Sequence, residues 1–243
     1  MTDDAAGALT PDVVAGSARG RTVVVAGAGG VGGRAVCAAL TAAGAHVVAV
    51  GSRAESLTHV EAAETAVLDL ADPEAVAAWA RELRSRQPSI DGVLHLVGGW
   101  RGGSGFDDFA WLERRVLTTL RVLSRELRDD LAASGAGRLA IVSSASVAAP
   151  KWGMANYVTL KAAAEMWVQA IAGTWRAKHE PAAAVTFIVG ALDDAGVTEL
   201  LATACAGLWS LPTEEVNGAL IDLSRATESA SESATEPATD QGE

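Results

Sequence analysis

Basic residues are scarce in this chain: 19 Lys+Arg stand against 30 Asp+Glu, a net charge of −11. Binding to nucleic acid or to an acidic membrane surface needs the opposite sign, so neither is expected as a partner. Cysteine is rarer still. Cys37 and Cys205 both sit in Ala-rich apolar surroundings, and no CxxC or Cys/His cluster exists. A zinc site or disulfide framework is therefore excluded, and two buried free thiols in a reducing compartment are expected. Long hydrophobic runs are missing too. The longest, near residues 182–192, is too short to span a bilayer. The opening MTDDAAG has neither the basic nor the apolar region of a secretory signal. Together these features lead us to expect a cytoplasmic protein.

What is present is apolar bulk. Apolar residues make up 49% of 243, enough for a full core and too many for a disordered chain. The two ends carry −3 (residues 1–18) and −4 (residues 224–243) of the net charge, leaving −4 for the middle. The stretch RATESASESATEPATDQGE contains no Val, Leu, Ile, Met or aromatic residue and cannot build a core. The expected organisation is a flexible arm over 1–19, one domain over 20–223 and a disordered acidic tail over 224–243.

Short β-branched runs recur at Thr22–Ala26, His46–Val50, Ala66–Asp69, Gly92–Val97, Arg138–Ser143, Val185–Val189 and Ala219–Leu223. Between them lie Ala-, Leu-, Arg- and Glu-rich stretches with helical spacing: Arg34–Ala43, Pro73–Gln87, Phe109–Ala133, Tyr157–His179 and Thr198–Trp209. Asp72 and Pro73 form a cap and first-turn signal for the second of these. The first, fourth and sixth runs are nearly all apolar rather than alternating, as suits strands buried on both faces of a parallel sheet. The pattern predicts an α/β fold, a doubly wound parallel sheet of about seven strands between two helical layers.

The first strand leads into Gly27-Ala28-Gly29-Gly30-Val31-Gly32-Gly33 and then a helix. Gly27, Gly29 and Gly32 fit G-x-G-x-x-G. Glycine lets backbone turn tightly and approach a ligand, while the helix start offers free N–H groups to a diphosphate. The second strand ends Val50-Gly51-Ser52-Arg53 with no acidic residue. Ser52 and Arg53 suit the 2′-phosphate of NADP(H) better than the free ribose of NAD(H). Asp69 ends the third run and is a candidate for the adenine edge, or simply a turn residue.

Tyr157 is the only tyrosine, and Lys161, one of three lysines, follows four residues later. On a helix that spacing places both on one face. A phenol ordinarily titrates near 10, and a neighbouring ammonium favours the phenolate, making Tyr157 a usable general acid or base. Ser144 lies at the end of the fifth strand, at the carboxyl edge where ligands bind, with Ser143 and Ser146 as competitors for a carbonyl-binding role. His95, on a buried strand, reads as a core residue.

Taken together, these residues resemble the short-chain dehydrogenase/reductase family over about residues 20–223. The resemblance implies a Rossmann fold and an NAD(P)-dependent oxidoreductase. In it Tyr157 exchanges a proton, Lys161 holds the nicotinamide ribose and lowers the phenol pKa, and Ser144 polarises the substrate carbonyl. The cofactor, NADP(H) by preference, would lie along Gly27, Gly29, Gly30, Val31, Gly32, Ser52, Arg53, Asp69, Leu70, Val97, Gly98, Gly99 and Gly190, with Tyr157 and Lys161. A small-molecule substrate would sit against Trp100, Ser144 and Tyr157. The resemblance also implies a homodimer or homotetramer through the helices at 109–133 and 157–179.

The chain departs from the family pattern in several places. Val31 stands at a usual glycine, and His95-Leu96-Val97-Gly98 replaces Asn-Asn-Ala-Gly. The only asparagines, Asn156 and Asn217, are both outside the long helix, where Thr118 and Thr119 lie instead. Val189-Gly190 replaces Pro-Gly, and only about seven residues separate Gly190 from the next helix. Gly98-Gly99-Trp100-Arg101-Gly102-Gly103 and Leu192-Asp193 are similar to stretches of dihydropteridine reductases, though those carry no serine at the place of Ser144 and an aspartate at that of Gly51. Pterin reduction, and nucleotide sensing with weak catalysis, are thus alternatives to a general carbonyl or conjugated-ring substrate.

Overall fold

The computed structural model describes residues 17–190 and 194–224. The expected acidic tail beyond Ser224, the arm up to Gly16 and Leu192-Asp193 lie outside the described residues. Ser17–Gly20 pack on the body: Ala18 is fully buried, Ser17 Oγ donates to Ala206 O at 2.7 Å, and Gly20 N donates to Gly44 O. The domain thus extends back beyond residue 20.

Seven strands form one parallel sheet in the order β3-β2-β1-β4-β5-β6-β7: β1 Thr22–Ala26, β2 His46–Gly51, β3 Glu64–Val67, β4 Gly92–His95, β5 Gly137–Ser144, β6 Ala182–Val189 and β7 Leu220–Asp222. The seven β-branched runs all become strands. β3 ends at Val67, so Asp69 lies past it, and β4 ends at His95, so Val97 lies in the following loop.

Two apolar layers follow from strand alternation, since successive side chains point to opposite faces. Val23 and Val25 face the layer holding α1 (Val31–Ala42) and α7 (Ala195–Ala206). Val24 and Ala26 face the layer holding α3 (Pro73–Arg86), α5 (Thr119–Ala133) and α6 (Ala155–Lys178). Two short helices, α2 (Ala54–Leu57) and α8 (Thr213–Val216), have too few residues to show a period in sequence. Cys37 and Cys205 are free thiols buried in the first layer, where burial raises both pKa values, that of Cys37 to about 12. No helix among the described residues is long and apolar enough to cross a membrane.

The helix expected over Phe109–Ala133 begins earlier and is interrupted. α4 (Phe106–Leu112) passes into a π turn, Glu113–Thr118, before α5. Here Thr119 N reaches back to Arg114 O, and the Thr119 hydroxyl bonds Arg115 O at 2.6 Å. Such turns insert one residue and are concentrated at functional sites.

The turn after β1 is built from close backbone approaches. Gly27 has φ +82°, and a Cβ there would stand 2.8 Å from the Leu96 carbonyl carbon. A Cβ on Gly33 would meet Gly27 O at 2.3 Å and Ala28 Cα at 2.7 Å. Gly33→Ala is therefore expected to cost about 1–3 kcal/mol through forced separation of α1 from the turn, read as a Tm several degrees lower. An unchanged Tm would contradict this packing.

Candidate active site

The strand order reverses direction between β1 and β4, and the crevice at their carboxyl ends is where such sheets bind ligands. A cavity of about 610 Å³ occupies one half of it, lined by Gly27, Gly29 and Gly30, by Ser52 and Arg53, by Asp69 and Leu70, and by Val97, Gly98 and Gly99. A second cavity of about 520 Å³ shares the Leu96–Gly99 wall and adds Trp100, Ser144, Tyr157, Lys161 and Gly190. Val31 and Gly32 line a third hollow of about 290 Å³ beside the glycine turn. Val31 is 62% exposed, so the residue at the usual glycine position points outward and leaves the turn intact. Every residue nominated from the sequence thus lines this composite crevice.

The first cavity suits the adenosine and diphosphate end of a dinucleotide. Its floor is bare backbone where Cβ atoms would collide, at Gly27 with Leu96 and at Gly29 with Ser56 Cβ, 2.6 Å away. Ser52 and the Arg53 side chain are exposed at the end of β2, with Ser56 Oγ donating to Arg53 O at 2.7 Å. Asp69 is engaged by Arg114 of the π turn at 2.5 Å while also accepting from Ala71 N. It therefore presents an ion pair, rather than a free carboxylate, to this cavity.

Three cationic residues, Arg53, Arg114 and Arg115, surround this half of the crevice. Sequence reading missed the last two because the π turn alone swings them there. Arg115 Nε donates to Gly98 O at 3.0 Å, and its guanidinium covers one face of Trp111 at 4.7 Å. Arg101 covers Trp111 at 4.1 Å and pairs with Asp108. Gly99, at φ +151°, leaves no room for a Cβ, which would stand 2.6 Å from Trp111. The glycine-rich loop is fastened across the second cavity by Gly103 N donating to Gly153 O at 2.7 Å and Asn156 Nδ2 donating to Gly105 O at 2.7 Å. Trp100, 64% exposed, forms part of the rim.

Tyr157 and Lys161 occupy successive turns of α6, with Nζ 5.7 Å from the phenol ring centroid. Lys161 is 6% exposed and donates to Val142 O at 2.8 Å. Burial lowers its pKa to about 8 against the opposing pull of Glu165. Ser144 is the last residue of β5, buried, with its Oγ accepting from Ser146 N at 3.2 Å. The expectation that Lys161 lowers the phenol pKa is corrected here. Burial raises the Tyr157 pKa, and the opposing influence is a hydrogen bond with Ser144. The buried phenol therefore stands protonated at neutral pH.

His95 is more than core filling. It is 3% exposed, with Nε2 2.8 Å from Thr119 Oγ1, and so bridges β4 to the π turn. Burial, reinforced by the Lys161 charge, lowers its pKa to about 3.

The sequence matches the family model described as short chain dehydrogenase over residues 21–192. The chain belongs to that family, a class of NAD(P)-dependent oxidoreductases. Similar solved structures include a 3-ketoacyl-(acyl-carrier-protein) reductase from Brucella melitensis complexed with NADH, with TM-score 0.75, 18% identity and coverage of 85% of this chain and 97% of that one. A short chain dehydrogenase from Burkholderia cenocepacia in complex with NADP gives TM-score 0.75, 20% identity and coverage of 86% and 98%. One from Shigella flexneri gives 0.76, 19%, 85% and 92%. A comparison with curated proteins returns no match.

The His95 environment sets an acid limit on stability. The unfolded imidazole takes up a proton near pH 6.5 and the folded one only near 3, so stability present above pH 6.5 is lost as pH falls through that interval. His95→Gln removes this titration, and its Tm is expected to fall less than that of the wild type between pH 7 and pH 4.5. An equal fall would place the acid sensitivity elsewhere.

Proposed function

We propose that the protein transfers a hydride between NADP(H), in preference to NAD(H), and a small-molecule carbonyl, alcohol or conjugated-ring substrate, with Tyr157 as proton partner. The observation that carries this reading is the joining of two cavities along Leu96–Gly99, one with the glycine turn and Arg53, the other with Ser144, Tyr157 and Lys161. A bound nicotinamide would supply or accept the hydride. The chain's own residues do the rest. Backbone N–H groups at the start of α1 hold a diphosphate, and the exposed Ser52 and Arg53 hold the 2′-phosphate.

Two of the three Lys161 donors are left after Val142 O, enough for a ribose hydroxyl. Ser144 Oγ hydrogen-bonds the substrate oxygen, and Tyr157 Oη gives that oxygen its proton in reduction. The raised phenol pKa keeps the proton on Tyr157, the form from which reduction starts. Oxidation of an alcohol needs the phenolate, so that direction gains rate as pH rises.

Trp100 offers a flat ring at the rim, which favours planar conjugated substrates, pterins among them. Subunit association through the helices at 109–133 and 157–179 belongs to the same reading, since Phe109 and Met166 stand exposed on them.

Tyr157→Phe is expected to lower turnover of any substrate the wild type reduces by about 10²–10⁴-fold, with dinucleotide binding retained. Full turnover in that variant would remove Tyr157 from the chemistry. Arg53→Ala is expected to weaken NADPH binding by roughly 10-fold or more, as loss of a charged hydrogen bond does, while NADH binding changes little. An unaltered ratio of the two affinities would refute the cofactor preference.

A further inference from the structure

Tyr157, Lys161 and Glu165 follow one another at four-residue intervals on α6 and so share a face. Glu165 accepts a short hydrogen bond from Ser143 Oγ on β5. Ser143 is the neighbour of Ser144 and is itself only 1% exposed. The adjacent serines therefore divide the labour: one lies by the phenol, the other ties down the carboxylate two turns along.

Lys161 needs a counter-charge. An ammonium removed from water is costly unless paired, and Val142 O supplies only a neutral acceptor. His95 faces it from β4 but stays neutral down to about pH 3. β5 contributes only hydroxyls and a carbonyl around it. In the π turn, Glu113 bonds Thr118, Arg114 pairs with Asp69, and Arg115 is taken up by Gly98 O and Trp111. On α6, Tyr157 is a protonated phenol. Glu165 is the remaining opposite charge, and its pull on Lys161 opposes burial.

We propose that Glu165, oriented by Ser143, is a positioning residue that keeps the buried Lys161 protonated and thereby sets the alkaline limit of the site. This rests on the assignment of Tyr157 and Lys161 given above. Removing the carboxylate lets burial act unopposed, so Lys161 loses its proton at lower pH. The site then fails at a pH where the wild type still works.

The test compares Glu165→Gln, Glu165→Asp and Ser143→Ala with the wild type in two measurements. One is the titration of the Lys161 side-chain nitrogen by NMR of lysine-labelled protein, tractable with three lysines in the chain. The other is NADPH affinity and the kcat/KM for reduction as functions of pH. Glu165→Gln should move the Lys161 titration and the alkaline limb down by about one pH unit or more, as loss of a nearby opposite charge does. Activity near pH 6 should change little. Glu165→Asp should restore most of the shift, and Ser143→Ala, which leaves the charge but frees its orientation, should give a smaller shift in the same direction.

A purely structural role would lower Tm and leave both titrations in place. If Glu165→Gln folds poorly, Ser143→Ala and Glu165→Asp decide. A Lys161 titration that none of the folded variants moves overturns the proposal. A shifted titration together with a fully active Tyr157→Phe upholds the Glu165–Lys161 link and overturns the reading of the site instead.

Discussion

The crevice exists because β1 and β4 are neighbours whose following segments leave the sheet in different directions. The chain after β1 must clear the chain after β4 at once, and it does so with no side chain between them, Gly27 against Leu96. Gly33 then lets α1 lie directly on that turn. Both approaches are backbone to backbone, so neighbouring side chains cannot relieve a clash. Everything that lines the ligand-sized space, from Arg53 on one side to Tyr157 on the other, is placed relative to this junction.

Around that junction the polar groups are buried and mutually dependent. Lys161 holds Val142 O, the Ser143 hydroxyl holds Glu165, and His95 holds Thr119. Thr119 also satisfies Arg115 O, the carbonyl bypassed when its own N–H reaches back to Arg114. In a low-dielectric interior each such bond is strong when made and costly when lost. The departure from regular helix between residues 113 and 118 is thus tied to His95 through the Thr119 hydroxyl. Thr119 of the long helix and His95 of the strand beneath it are thereby joined by a hydrogen bond.

The sheet was legible because buried parallel strands leave an unmistakable mark, runs such as Thr22–Ala26 without alternation. The glycine turn and the Tyr157–Lys161 spacing were legible because backbone clearance and helical period are local properties. The Gly27-Gly29-Gly32 string leaves out Gly33, where the helix packs directly on the turn. Other features were hidden because they are set by distant segments. The π turn delivers Arg114 to Asp69 and Arg115 to Gly98, contacts 45 and 17 residues apart in sequence. The direction of the phenol's titration depends on how deeply the folded chain buries it, and the spacing to Lys161 alone points the wrong way.

The loop from Gly98 to Gly105 is held at both ends of its span, by Arg115 at Gly98 O and by Gly103 N and Gly105 O against the segment that opens α6. Two of these ties engage main-chain atoms on both sides or a single asparagine amide, and Arg101 of the loop and Arg115 both lie over the Trp111 ring. The course of this loop is consequently measured out by peptide length and hydrogen-bond reach, more than by the bulk of any one side chain. Reshaping the cavity rim beside Trp100 would call for inserted or deleted residues in that span before any exchange of the aromatic itself.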